Sequence, residues 1–306
     1  MSRVTILAGG VGGARAARGF AAILDPPDLT VVVNVGDDDR IHGVHVSADL
    51  DTVVYTLAGR EGPHGWGLAG DSFDVMGRLK SLGVDTTFRI GDADLATCLA
   101  RTAALDAGEP LSSITAGIAA AFDVRHTVLP VTDDAVRTRL RIPGGRWLAF
   151  QEYFVLRGQR DEVAQVRFDG AEEAAPARGV LEAISGADLV VIAPSNPPLS
   201  IWPILAVPGV RAAVAGADRV VAVSPLFAGK AIKGPADRVM ASLGLPAGNS
   251  GVLAAYEDLL TDLVVDRSDA ADVDALSGAV AIHPADTRIA ERDAAAHLAT
   301  VIMGLA

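Results

Sequence analysis

Cysteine, aromatics and basic residues are all scarce in this chain. A single cysteine, Cys98, stands among 306 residues, which excludes an intramolecular disulfide and a multi-cysteine metal site; it fits a reducing compartment and reads as core. Aromatic residues make up 5% of the chain. Basic side chains number 26 against 38 acidic ones, a formal charge of −12, so the clustered Lys and Arg that a nucleic-acid or anionic-membrane surface needs are not expected. No uninterrupted apolar run approaches the ~18 residues of a membrane span, and the expectation is a soluble, cytoplasmic protein. The histidines His42, His45, His64, His126, His283 and His297 show no HExxH spacing or close pairing, which argues against a histidine zinc site, and no G-x-S-x-G elbow occurs.

What is abundant is small and apolar: the chain is 50% hydrophobic, with 32 glycines. The stretch Val4 to Gly19, VTILAGGVGGARAARG, leads three β-favouring residues into Gly9, Gly10, Gly12 and Gly13 and then into a helical pattern. Glycines permit positive φ and remove Cβ atoms, so backbone amides at a helix N-terminus can face an anion. A phosphate site is the expectation. Arg15 stands where the third glycine of G-x-G-x-x-G belongs, and no Gly-Lys-Ser/Thr follows. Asn34, closing the next apolar run, is not the acid that holds a nicotinamide cofactor's ribose. An acidic protein that binds phosphates needs backbone amides, or a divalent cation held by carboxylates.

Taken in order, the pattern predicts a helix over Ala14 to Leu24, a strand over Leu29 to Val33, and a polar loop of Gly36, Asp37, Asp38, Asp39, Arg40, Ile41, His42 and Gly43 at that strand's carboxyl end. Ser47 to Gly59 reads as a helix capped by Ser47 or Asp49, with Asp49 and Asp51 in its first turn. Those two acids either serve the helix dipole or converge with Asp37 to Asp39 on a cation. A glycine-rich segment with Trp66 precedes helices at Asp71 to Leu82, Asp92 to Ala107 and Ser112 to Phe122. Arg89, between two of them, either projects over the cleft or is an ordinary surface arginine.

After a strand at His126 to Thr132 the period changes to alternation, and an antiparallel hairpin is expected, with Trp147 to Leu156 as its return strand and a third strand near Val163 to Phe168. The βα rhythm then resumes. A helix runs to Ser185, and strands at Leu189 to Ala193 and Arg219 to Val223 end in two loops, Pro194-Ser195-Asn196 and Ser224-Pro225, the second running on to Gly229, Lys230, Lys233 and Gly234. These loops read either as two walls of one pocket, suited to a base or ribose, or as two ordinary turns. Helices from Ser250 to Leu260 and Asp286 to Leu305, with strands at Asp262 to Val265 and Ala279 to Ile282, complete the chain. The expected fold class is α/β: a Rossmann-like, mostly parallel sheet flanked by helices. One domain over 1–306 is expected, with an inserted helical lobe at about 61–124 and an antiparallel hairpin at about 136–168.

The blocks LAGGVGGAR, VVNVGDD, HG, DLDTVVYTL, WG, GDADLAT, LPVTDD, FQEYFV, APSNPPLSI, ILAVPGVR and VAVSP, in that order over nearly the whole chain, resemble the 2-phospho-L-lactate or phosphoenolpyruvate transferases (CofD/FbiA) of deazaflavin coenzyme F-420 biosynthesis. The resemblance implies transfer of a phosphoenolpyruvyl or phospholactyl group from a guanosine diphosphate ester to the ribityl hydroxyl of the deazaflavin Fo, with Mg²⁺ and release of GMP, by a homodimer. It implies that Gly9, Gly10, Gly12 and Gly13 face the donor phosphates and that Ser195, Asn196, Ser224 and Pro225 hold guanosine, with Asn34 in the same site. It further implies that Asp38 and Asp51 bind Mg²⁺ and carry the chemistry, and that Arg89 contacts Fo. The chain departs from the family pattern at Ala93 and Cys98, where GDADLATC stands for GDRDLATH, at Ala48 for a proline, and at Asp39-Arg40, where an aromatic is usual. The YvcK-like nucleotide-sugar-binding regulators share the glycine loop and an Asn-x-x-Asp-Asp segment and form the alternative; DLDTVVYTL and APSNPPLSI favour the transferase. Arg15 and Asn34 weigh against a nicotinamide oxidoreductase.

Overall fold

The computed structural model describes residues 2–232, 234–276, 278 and 280–305; Lys233 and Ala279, named above, lie outside the described residues. Seven strands form the main sheet: β1 (Val4–Ala8), β2 (Leu29–Val33), β3 (Thr127–Pro130), β4 (Leu189–Ile192), β5 (Val220–Val223), β6 (Asp262–Asp266) and β7 (Ala281–Ala285). Their order is β7-β6-β5-β4-β1-β2-β3, and every pairing is parallel. The central strands are buried along their whole length, as unbroken runs of Val, Ile and Leu dictate when helices cover both faces of a sheet. Pro130 and Pro284, which cannot donate to a ladder, fall on the two edge strands β3 and β7.

Helix α1 (Gly10–Ala21) lies between α2 (Ala48–Leu57) and the C-terminal helix Arg292–Met303. A Cβ at Gly19 would overlap the Ala295 carbonyl, so this glycine is required by the close crossing of two helices. Ala14, Ala17 and Phe20 of α1 are buried against the sheet, and the phenylalanine alone gains about 1.5–3 kcal/mol from leaving water. The C-terminal helix begins at Arg292, six residues later than the sequence pattern implies from Asp286.

Between β2 and β3 come α2, α3 (Asp74–Ser81), α4 (Asp92–Asp106) and α5 (Leu111–Ala121). Asp71 accepts the first-turn amides of Ala93 and Asp94, and Asp92 those of Asp74 and Val75, so each helix is capped by an acid from the other's entry segment. The polar loop after β2 is partly a ribbon, Asp39–Ile41 against Val44–Val46. His42 and Gly43, at φ 51 and 85, form its two-residue turn, a primed hairpin that His-Gly does not advertise as Asn-Gly would. The insertion after β3 is three-stranded and antiparallel, with Arg137–Arg141 central between Trp147–Ala149 and Gln165–Asp169. Its return strand stops at Ala149: Glu152–Leu156 is a π-helical turn, not strand, because Tyr153 turns into a small core with Leu140, Leu148, Phe150 and Val163.

Candidate active site

The strand order reverses between β1 and β4, so the loops leaving these two neighbours diverge and open a crevice at their carboxyl ends. The glycine turn sits there. Gly10 takes φ +64, which favours glycine. Gly9 and Gly12 are needed for a different reason: a Cβ on Gly9 would lie 2.7 Å from Asp49 Oδ2, and one on Gly12 would strike the Pro194 carbonyl. Ser195 locks the two loops together, its hydroxyl donating to the Gly9 carbonyl at 2.7 Å and accepting from the Gly9 amide at 3.3 Å. First-turn amides of α1 beyond Gly10 have no intrahelical acceptor and form the anion-facing edge. Gly12→Ala is expected to lower stability by about 1–3 kcal/mol through this overpacking, read as a shifted urea midpoint at unchanged slope.

Four buried acids lie on the β2 side of the crevice, Asp37, Asp38, Asp49 and Asp51, and Asp49 touches the turn itself. Asp49 accepts from the Gly10 amide at 2.8 Å and from Asn34 Nδ2 at 3.0 Å, while Asn34 Oδ1 accepts from the Gly36 amide. Burial pushes the Asp49 carboxyl up to about 6, against those two hydrogen bonds and with the Asp38 charge adding to the rise. Asp38 Oδ2 accepts from the Ser47 hydroxyl at 2.8 Å and meets His45 Nε2 at 3.1 Å. Asp37 is fixed through its carbonyl, which accepts from Gln151 Nε2 at 2.9 Å; burial, then the Asp49 charge, hold its carboxyl well above the usual carboxylate range.

Asp51 pairs with Arg101, a side chain 1% exposed, on α4. Burial raises the Asp51 pKa, and the guanidinium opposes that rise. Arg101 also donates to the His45 carbonyl at 3.4 Å, so Asp38, His45, Arg101 and Asp51 form one connected group.

Two oxygens of the acid cluster, Asp37 Oδ1 and Asp38 Oδ1, are buried without a hydrogen-bond partner among the described residues. Carboxylate oxygens gathered without donors take up either protons or a cation, so the residues fit a hard divalent ion here. Asp51, Asp94 and Cys98 also bring ligand atoms within 4.8 Å of one another. That cluster suits a metal less well, because burial pushes the Cys98 thiol up to about 12, keeping it protonated.

Gly9, Gly10, Gly12, Gly13, Asn34, Asp38, Asp51 and Ser195 are thus held in one hydrogen-bonded or electrostatically linked assembly. Asn196 adjoins it: its Oδ1 accepts from the Leu199 amide, and its Nδ2 is buried with no acceptor, a donor free for a ligand. Ser224 and Pro225 follow β5, one strand further along the sheet. The Ser224 hydroxyl is directed inward, donating to Asn249 Oδ1 at 2.5 Å and accepting from the Leu226 amide. Arg89 is exposed on the helical lobe with its guanidinium 4.1 Å from the centre of the Phe73 ring.

Ser47 occupies the N-cap of α2 as expected, but its hydroxyl makes no cap hydrogen bond and is spent on Asp38. Arg101, His45 and Gln151 also belong to this site, though no sequence motif marks them. A signal existed for Arg101, since Asp94, Cys98 and Arg101 recur at i, i+4 and i+7 and so share one face of α4.

Sheet and crevice together define a Rossmann-like α/β protein whose anion-facing glycine turn is opposed by buried carboxylates. A family profile described as 2-phospho-L-lactate transferase CofD matches residues 4–301. The chain is 40% identical to a phosphoenolpyruvate transferase of Kitasatospora aureofaciens over 99% of this chain and 98% of the relative. A protein of the same name from Mycolicibacterium smegmatis is 38% identical over 82% of each chain. The chain belongs to the CofD family, and it is a transferase. Protein BH3568 of Bacillus halodurans, a UPF0052 family member, shares the fold in its crystal structure, with a TM-score of 0.67 at 16% identity over 99% of both chains.

Proposed function

We propose that this transferase acts in coenzyme F-420 biosynthesis, moving a phosphoenolpyruvyl or 2-phospholactyl group from a guanosine diphosphate ester to the ribityl hydroxyl of the deazaflavin Fo. The observation that carries this reading is the pair of unpartnered, buried carboxylate oxygens on Asp37 and Asp38 opposite the glycine turn. A diphosphate has the charge that both halves of the site call for: amide hydrogens on one side, a carboxylate-held cation on the other.

In this reading Asp38 and Asp51 would hold Mg²⁺, beside the unpartnered oxygens of Asp37 and Asp38. When bound, the ion neutralises charge on the diphosphate. The amides of Val11 and Gly12 orient the phosphates, Ser195 fixes the turn that presents them, and the free Asn196 amide reads the guanosine. The acceptor hydroxyl oxygen forms a bond to the distal phosphorus as the bond to the GMP oxygen breaks, and the hydroxyl proton leaves to the departing GMP phosphate or to water. Asp51 orients rather than deprotonates, because its pairing with Arg101 favours the ionised form as a fixed charge.

Calorimetric titration with GDP, UDP-N-acetylglucosamine and NAD in Mg²⁺ tests the donor assignment. GDP is expected to bind and the other two to bind weakly or not at all. Tight binding of the UDP-sugar with none of GDP would move the chain to the nucleotide-sugar-binding regulators. Mass spectrometry of the product formed from each ester with Fo then separates enolpyruvyl from lactyl transfer.

A further inference from the structure

In a chain with so few aromatic residues, three rings meet beside the site. Trp66 lies edge-on to Phe154 with centroids 6.2 Å apart at 75°, and Phe154 stacks on Phe150 at 5.3 Å and 15°. Trp66 is nevertheless 46% exposed. Its segment is anchored, since Glu61 pairs with Arg18 of α1 at 2.6 Å, Glu61 and Leu68 form a bridge, and the Gly62 amide donates to the Gly67 carbonyl.

Three contacts place this group. A Cβ at Gly65 would lie 2.5 Å from Val11 Cγ1, so the residue before Trp66 rests on the first turn of α1. A Cβ at Gly67 would lie 3.8 Å from Asp94 Oδ2, so the residue after it borders Asp94 on α4, near Asp51 and Cys98. Gln151, which precedes the turn bearing Phe154, donates to the Asp37 carbonyl. The indole therefore projects from a segment packed between the first turn of α1 and Asp94, set edge-on to Phe154.

We propose that Trp66, braced by Phe154, is the stacking surface for the flat, fused-ring end of the acceptor. A large, planar, polarisable indole of this kind gains most from a second flat ring system, whose contact needs no matching hydrogen bonds. This rests on the acceptor being a deazaflavin, as proposed above, and deepens it by naming the residues that select for the ring rather than for the ribityl chain.

The test combines steady-state transfer with equilibrium binding of Fo, followed by tryptophan fluorescence, and of GDP, followed by calorimetry. Trp66→Ala is expected to raise the KM for Fo about 10- to 100-fold while leaving the GDP Kd within about twofold. Trp66→Phe is expected to recover part of the KM, because a ring is restored, and to remove most of the fluorescence quenching that Fo causes, because Trp147 and Trp202 lie elsewhere. An unchanged KM for Fo in Trp66→Ala, or a fall confined to kcat, overturns the stacking role without touching the donor assignment. Wild-type protein that binds Fo with Trp66-dependent quenching but transfers nothing overturns the proposed reaction and leaves the stacking surface standing. Absence of both binding and transfer overturns both.

Discussion

Asp38→Asn is expected to lower turnover by at least ~10³-fold while leaving the folded state intact, and GMP release with Mg²⁺ in excess is the measurement. The size follows from removing a charge-bearing group aimed at the reacting diphosphate, for which losses of ~10²–10³ per interaction are usual even without a metal. Sparing of the fold follows from what Asp38 touches. Its Oδ2 serves only Ser47 and His45, and an amide oxygen there still accepts the Ser47 hydrogen. Its Oδ1 serves nothing in the folded chain. The Asp38 charge also adds to the raised pKa values of Asp37, Asp49 and Asp51, so neutralising it relieves repulsion among buried acids. The thermal midpoint is therefore expected to stay the same or rise slightly. Near-normal turnover in this variant would remove Asp38 from the site, and a large fall in midpoint would show that the acid cluster is scaffold rather than machinery.

Apolar runs such as Val4–Ala8 and Leu189–Ile192 announce buried parallel strands because both faces are covered, so period and face do not compete. The glycine turn was equally legible, since its four glycines answer to steric demands that no other residue meets. Side-chain destinations were less so. Ser47, Asp49 and Asp51 in a first turn look like helix caps, and only the three-dimensional return of Asp38, Gly10 and Arg101 sends each elsewhere. The π-helical turn at Glu152–Leu156 was hidden by the β-favouring letters of EYFVL, whose tertiary role is to drive Tyr153 into a local core and present Phe154 beside Trp66.

Arg101 carries the other large expectation, one of stability. Arg101→Met leaves Asp51 buried without its counter-charge, and breaking a buried pair in this way costs about 3–5 kcal/mol. In a protein of this size that corresponds to a fall in Tm on the order of 10 °C, read by calorimetry or circular dichroism. Asp51→Asn is expected to act similarly, because it strands the guanidinium, whose pKa is held up by the Asp51 charge against a burial that would lower it. A lost activity in either single variant therefore does not by itself make the residue catalytic. Asp51→Leu combined with Arg101→Met separates the two roles, since a buried ion pair exchanged for apolar groups of similar volume is close to neutral for folding. The double variant is expected to regain most of the lost Tm and none of the turnover. Recovery of turnover along with Tm would show that Asp51 acts only as a strut between α2 and α4. A single Arg101→Met variant melting within about 2 °C of wild type would show that the pair contributes little to holding those helices together.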